Sequence, residues 1–189
     1  PVASSQFIVF NWNKASDPFK QSLFRSDKFR RAMSHLVNRQ AVIDIVYGGL
    51  GTPMYSSVYP VLTQWINPKV PKYEYDPKQA AKLLAELGFT KKDREGYLVD
   101  SKGRRIEFNL ATNAGNTQRE QIAKLIVDEA KKVGVKVNFQ AIDFNTLVGQ
   151  LLSSGPDRPF DAIIIGLTGG GLDWPFGSNV VPCKGNLHM

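Results

Sequence analysis

Cysteine and histidine are scarce in this chain, which has one of the former and two of the latter among its 189 residues. A lone Cys183 excludes an internal disulfide and any cysteine-rich zinc site. No His-x-x-x-His or Cys-x-x-Cys spacing occurs and the carboxylates are scattered, so neither a metal nor another cofactor is expected. His35 falls on the polar side of a helical pattern and His188 lies in the last residues. Neither has a serine or cysteine in a nucleophile elbow nearby, which argues against acyl-transfer chemistry. Long hydrophobic runs are missing too: a membrane span needs about 20 consecutive apolar residues, whereas stretches such as 162–165 have the length of buried strands. With no internal repeat and no low-complexity segment, the chain reads as one α/β unit.

What is present in excess is positive charge, 24 basic against 17 acidic side chains for a net +7. Its distribution argues against a nucleic-acid partner. Lys91-Lys92-Asp93-Arg94 and Lys102-Gly103-Arg104-Arg105 read as solvated loop tips, and no helix-turn-helix, zinc-finger or aromatic RNA-binding pattern accompanies them. The chain begins at Pro1, reaches a strand-like segment by Gln6 and ends in loop chemistry from Pro182 onward, so a piece of a longer protein is expected.

Periodicity and punctuation set out the elements. Gln6 to Trp12 is apolar on both faces, which predicts a central strand. Asp27 is placed to cap a helix carrying Phe29, Ala32, Met33 and Leu36, with Arg30, Arg31 and His35 outward. A second helical stretch, 40–47, stops at Gly48-Gly49, and a long proline-marked connection follows, of the kind that usually has a function. Asp76-Pro77-Lys78-Gln79 opens a helix with the stripe Ala80, Leu83, Leu84 and Leu87. Segments 97–99 and 105–111, joined by a turn at 100–103, suggest a hairpin. Thr117 and Glu120 read as a capping box for a long amphipathic helix ending at Gly134, and Val135, Val137 and Phe139 then alternate as a strand. Strand, helix, strand predicts a right-handed βαβ unit with parallel strands. Asp143 caps a further helix with Phe144, Leu147, Val148 and Leu151, and 160–165 forms a strand buried on both faces.

Ligands of open α/β sheets sit beyond the carboxyl ends of the strands. The last apolar strand empties there into a loop spanning 166–175, with Gly169, Gly170, Gly171, Asp173 and Trp174. Consecutive glycines let a ligand's main chain approach closely. Asp173 is suited to pair with an ammonium group and Trp174 to cover the adjoining surface, although a flexible connector and a turn aspartate account for the same residues. The glycine run lacks both the dinucleotide and the phosphate-loop patterns. Among the other aromatics, Trp12, Trp65, Tyr55 and Tyr59 are either cleft-lining or core residues; Trp12, beside Asn11 at the end of a strand, is the foremost.

Several segments in order carry a resemblance: Phe10-Asn11 after an apolar strand, the run 27–43, Gly49-Leu50-Gly51-Thr52-Pro53, the run 75–84, and Phe160-Asp161 ahead of the glycine-rich loop. Together they resemble the family 5 extracellular solute-binding proteins of ATP-driven (ABC) importers, over nearly the whole chain. The resemblance implies a lobe of periplasmic-binding-protein type II, with a mixed, mostly parallel sheet flanked by helices. Residues 1–189 would form this single lobe of a two-lobed protein, the first lobe lying outside the chain. It implies capture of an oligopeptide or dipeptide between the lobes, delivery to an ABC permease in the membrane, and an extracytoplasmic location, periplasmic or attached to the cell surface. No enzymatic activity is implied. In peptide-binding members an aspartate after the glycines of the final loop holds the ligand's α-amino group, and Asp173 matches that position; Asn11 and Trp12 complete the expected ligand-binding set. Three glycines stand where many members have a bulkier residue in place of one of them, so metal chelates and sugars stay open beside peptides. Two rivals remain: the same lobe as a solute sensor in a signalling or transcriptional protein, and a hydrolase using Asp173 and His188.

Overall fold

The computed structural model describes residues 4–168, 180, 182–185 and 187. In chain order, β1 (Ser4–Phe10) is followed by α1 (Pro18–Arg25), α2 (Asp27–His35), α3 (Arg39–Tyr47) and α4 (Pro77–Glu86). Then come β2 (Lys91–Lys92), β3 (Leu98–Val99), β4 (Glu107–Asn113), α5 (Thr117–Val133), β5 (Lys136–Ile142), α6 (Phe144–Leu151) and β6 (Ala162–Thr168). Four strands form a mixed sheet in the order β1-β6-β4-β5. β4 runs parallel to both β5 and β6, as the strand–helix–strand pattern predicts, and β1 is antiparallel to β6.

Alternation decides which side chains go to which face. On β6, Ala162 and Ile164 enter the larger core beneath α1, α2, α4 and α5, while Ile163 enters a second core with Leu147 and Leu151 of α6. That is why this strand reads as a continuous apolar run. β4 sends Phe108 and Leu110 to the first core and Ala111 to the second. The centre of the larger core is aromatic: Phe10, Phe24, Phe29 and Phe108 are in mutual contact, with ring centroids 5.3 to 6.2 Å apart and mostly tilted or edge-on. Such geometry matches positive ring edges to negative faces. It also fastens β1, α1 and α2 onto β4.

The expected central position of the first strand is corrected. β1 pairs with β6 alone and forms an edge of the described sheet. Its apolar residues still serve two faces, Ile8 and Phe10 against one core and Val9 against the other. Hydrophobic alternation reports coverage of faces and carries no information about whether an edge is paired.

Several boundaries also move. The helix expected to start after Asp27 is capped by Ser26, whose hydroxyl accepts from Phe29 N at 3.3 Å; Asp27 is its first residue and pairs with Arg31. Asn116, and not Thr117, caps α5 by accepting from Arg119 N at 3.0 Å, while Glu120 reaches back to Gly115 N at 3.0 Å. The expected box is replaced: the cap moves back one residue, and Glu120 bonds to the N–H ahead of the cap instead of to that of the cap itself. The expected hairpin shrinks to a single bridge between Val99 and Arg105, since β4 spends its hydrogen bonds on β5 and β6. Asp76 and Asp143 cap α4 and α6 as read, and Gly48 and Gly134 end α3 and α5 with φ of 59° and 91°, in the left-handed region that favours glycine. No helix of the described residues is long and apolar enough to cross a membrane.

Because Phe108 touches three other rings at the heart of the larger core, Phe108→Ala should lower the unfolding free energy by about 3–5 kcal/mol. Guanidinium denaturation of the variant and the parent chain measures this directly.

Candidate functional site

The carboxyl ends of β4, β5 and β6 share one end of the sheet, and the N-termini of α5 and α6 start just beyond two of them. Unpaired N–H groups and the helix dipoles make this end partially positive. The same end receives the long segment between α3 and α4, because the Tyr59 hydroxyl donates to Leu167 O at 3.1 Å.

One side-chain cluster at this end spans three strands of the sheet. Arg119, in the first turn of α5, donates from Nε to Gln6 Oε1 at 2.8 Å and from Nη1 to Asn113 Oδ1 at 2.7 Å. Gln6 comes from β1 and Asn113 ends β4, so the guanidinium spans the sheet across β6. Gly166 on β6 makes room for it: a Cβ there would lie 2.8 Å from Arg119 Nη2 and 2.7 Å from Gln6 Nε2. Tyr47, at the end of α3, is electrostatically linked to Arg119. Its hydroxyl is buried and has no hydrogen-bond partner among the described residues. Burial pushes the Tyr47 phenol up and the Arg119 guanidinium down, each partly offset by the other.

The opposite end of the sheet is built differently. Asn11, fully buried, donates from Nδ2 to Arg158 O at 3.0 Å and Phe160 O at 2.9 Å and accepts from Lys14 N at 3.1 Å. Asp161 accepts from Lys20 Nζ at 2.7 Å and Asn109 N at 2.9 Å. Beside it an open groove of about 630 Å³ is lined by Asp17, Phe19, Lys20, Arg104 and Glu107, among others. Its charges are mutually neutralised: Arg104 pairs with Asp100 at 2.7 Å, and Arg105 with Asp93 at 2.6 Å and Glu95 at 3.1 Å.

These positions redistribute the residues singled out by sequence. Asn11 and Trp12 lie at the amino end of β6, a full strand away from Thr168, where the glycine-rich loop departs. A seven-residue strand is about 20 Å long, so the structure does not bring the two together with the loop's point of departure. The correction has a physical cause: both Nδ2 hydrogens of Asn11 are committed to carbonyls, which makes it a clasp between β1 and the chain entering β6. Trp12 packs against the larger core with the Arg30 guanidinium 4.3 Å from its ring. Arg30 is therefore turned inward, contrary to the expectation. Tyr55 is covered by Arg39, and Trp65 is exposed. His35 is held by Glu74 O at 2.6 Å. Gly169, Gly170, Gly171, Asp173, Trp174 and His188 lie outside the described residues. Cys183 is exposed, and no group of metal-ligating side chains occurs among the described residues. Sequence reasoning missed Arg119, Gln6, Asn113 and Tyr47. The available signal was an arginine in the first turn of a helix, where the dipole disfavours a cation.

Comparison with known proteins places this arrangement. Residues 1–185 match the family model described as bacterial extracellular solute-binding proteins, family 5 Middle. A probable ABC transporter-binding protein of Deinococcus radiodurans is 55% identical over 196 residues, covering 99% of this chain and 33% of that protein. The oligopeptide-binding protein AppA of Bacillus subtilis is 34% identical over 163 residues, covering 85% of this chain and 28% of its own. The structure of AppA in complex with a nonapeptide superposes with a TM-score of 0.74 at 30% identity, over 95% of this chain and 34% of that one. An oligopeptide-binding protein of Thermus thermophilus, complexed with a pentapeptide, gives 0.75 at 26% identity, over 88% and 28%. The chain thus spans about a third of the length of these relatives. The fold is that of a type II periplasmic-binding-protein lobe.

Two substitutions separate the ends of the sheet. Asn11→Ala should cost on the order of 1–3 kcal/mol in urea denaturation, since it strands two buried carbonyls. Undiminished stability would return Asn11 to the candidate contact residues. Gly166→Ala should change stability by less than about 1 kcal/mol, because the added methyl meets the mobile ends of two side chains. It should displace the Arg119–Gln6 hydrogen bond, read as a shift of the Arg119 Nε–H resonance in a proton–nitrogen correlation spectrum.

Proposed function

The chain belongs to the bacterial extracellular solute-binding proteins of family 5, and from that premise we propose that it forms one wall of a two-lobed peptide-capturing protein. The ligand would lie between this lobe and a first lobe outside the chain, at the carboxyl ends of β4, β5 and β6. The whole protein would close on an oligopeptide or dipeptide and deliver it to an ABC permease, outside the cytoplasm, in the periplasm or at the cell surface. It would perform no chemistry on the solute.

The observation that carries this reading is the contrast between the two ends of the sheet. At the amino end Asn11, Asp161 and Arg105 have their charges and amides spent within the lobe. At the carboxyl end the lobe exposes a cationic guanidinium, two helix N-termini and apolar side chains such as Leu167 and Phe144, 38% and 51% exposed. A small solute recognised through its termini and buried by closure suits such a surface. Closure follows when contacts to both walls exist in one form alone. Asp173 is the residue we assign to the ligand's α-amino group, through a charge-assisted hydrogen bond.

Calorimetric titration of the full-length protein with degenerate tripeptide and nonapeptide libraries tests the proposal. Asp173→Ala should weaken binding of free-amine peptides by roughly 10- to 100-fold, the loss of one hydrogen bond to a charged group. N-acetylated libraries should bind the parent protein as weakly as free-amine libraries bind the variant. Equal affinity of parent and variant for the free-amine libraries would remove Asp173 from the site, and failure of every library to bind would remove peptides as the solute.

A further inference from the structure

The three most exposed large apolar side chains among the described residues, Leu50, Ile45 and Val61 at 85%, 65% and 57%, lie toward one end of the lobe. α3 packs on α5, and Tyr47, which ends α3, is electrostatically linked to Arg119 in the first turn of α5. The last turn of α3, with Ile45, and the turn that follows it, with Leu50, therefore sit at the carboxyl ends of β4, β5 and β6. Val61 reaches the same end, because the turn that carries it runs from Tyr59 to Leu62 and the Tyr59 hydroxyl donates to Leu167 O. A single exposed leucine needs no explanation, whereas several apolar groups at one end do. Leu50 is also held in place. Gly48 and Gly49 adopt φ of 59° and 83°, both donate to the carbonyl of the buried Ile43, and Leu50 N donates to Tyr47 O at 3.0 Å. A group presented in one fixed position loses little entropy when it docks.

Size decides what such a surface can hold. Three side chains offer on the order of a few hundred Å² of apolar area, well short of the roughly 1,000 Å² that a separate protein partner needs. A tethered partner meets no such threshold, since linkage raises its effective concentration to about the millimolar range. This chain spans about a third of the length of its relatives, and β1 enters at the end in question, where Ser4 pairs with Thr168. We propose that Leu50, with Ile45 and Val61, is a closing contact: it packs into an apolar recess of the first lobe when the whole protein closes and stands in water when it opens. The inference rests on the two-lobed reading and adds a part of the closing free energy that no solute supplies. Affinity scales with the fraction of empty protein already closed, so every solute gains by the same factor.

The test uses the full-length protein, carrying one dye on each lobe, and free-amine tripeptide and nonapeptide libraries. Leu50→Ser should leave the empty protein more open on average than the parent, read as lower energy transfer between the dyes. It should weaken both libraries by one common factor of roughly tenfold, the loss of a leucine-sized buried surface. Leu50→Met should restore most of the parent's affinity. Leu152→Ser, which removes another exposed leucine at the far end of α6, should leave both affinities within about twofold. Unchanged energy transfer in empty Leu50→Ser overturns the inference and leaves peptide capture standing. A loss of affinity in that event makes Leu50 a contact of the solute, and a loss of solute-stimulated ATP hydrolysis by the reconstituted permease makes it a contact of the permease. If no library binds the parent protein, peptide capture is overturned, and the energy transfer of the empty proteins still decides the closing contact.

Discussion

The carboxyl end of the sheet, with the candidate site, is positioned through the double pairing of β6, antiparallel to β1 on one side and parallel to β4 on the other. The parallel pairing puts the exit of β6 beside those of β4 and β5, at the end where α5 and α6 begin. The antiparallel pairing brings the start of β1, with Gln6, to the same end and sends Asn11 to the other. A one-residue slip in the register of β1 would invert its faces, turning Phe10 out of the aromatic cluster and Gln6 away from Arg119. Core packing and site geometry therefore constrain the same strand.

β1 at its carboxyl end, and β6 from its amino end inward, are fixed by polar contacts of high local cost. Asn11 closes on the carbonyls of Arg158 and Phe160, Asp161 on the Asn109 amide and the Lys20 ammonium, and Thr112 donates to Ile164 O at 3.0 Å within the buried sheet. Buried groups of this kind stabilise little in net terms but are expensive to leave unmatched. Their effect is to specify one register. Phe10-Asn11 and Phe160-Asp161, two of the segments on which the family resemblance rests, turn out to be the two halves of this clasp. Segments that carry the family resemblance are, in this instance, part of the frame behind the candidate site.

The elements most legible in the sequence were those whose signals are local. Asp76-Pro77, Asp143, Gly48 and Gly134 act through hydrogen bonds and φ angles within five residues, and each stands where the local pattern puts it. Helix α1 carries the same local signal, since Asp17-Pro18 repeats the cap-then-proline pattern of Asp76-Pro77. Other features were illegible for a physical reason. The edge position of β1 depends on a partner strand more than 150 residues away, and no periodicity encodes it. Ser26 and Asn116 won the capping positions from neighbours of similar propensity. Of the candidate site, the loop was read from glycines and a carboxylate close together in sequence. The cluster around Arg119 was not, because Gln6, Asn113 and Gly166 meet it from three strands.

Arg39 shows why the donor count, and not burial, distinguishes Arg119. Both guanidiniums are drawn down in pKa by desolvation, and neither forms a salt bridge with a carboxylate among the described residues. Arg39 nevertheless uses all three of its nitrogens, on Met54 O at 3.1 Å, Tyr73 O at 3.1 Å and Ser34 Oγ at 3.1 Å, and lies over the Tyr55 ring. Carbonyl oxygens from both ends of the long segment between α3 and α4, and a hydroxyl of α2, thus converge on one cation, which folds that segment onto the lobe. A guanidinium with every nitrogen engaged is a rivet. Arg119 uses two of its nitrogens on neutral amide oxygens, and Gly166 leaves the room that its third nitrogen and the Gln6 amide occupy. The same side chain, in both places partly withdrawn from water, engages every nitrogen in one setting and leaves one without a hydrogen bond among the described residues in the other.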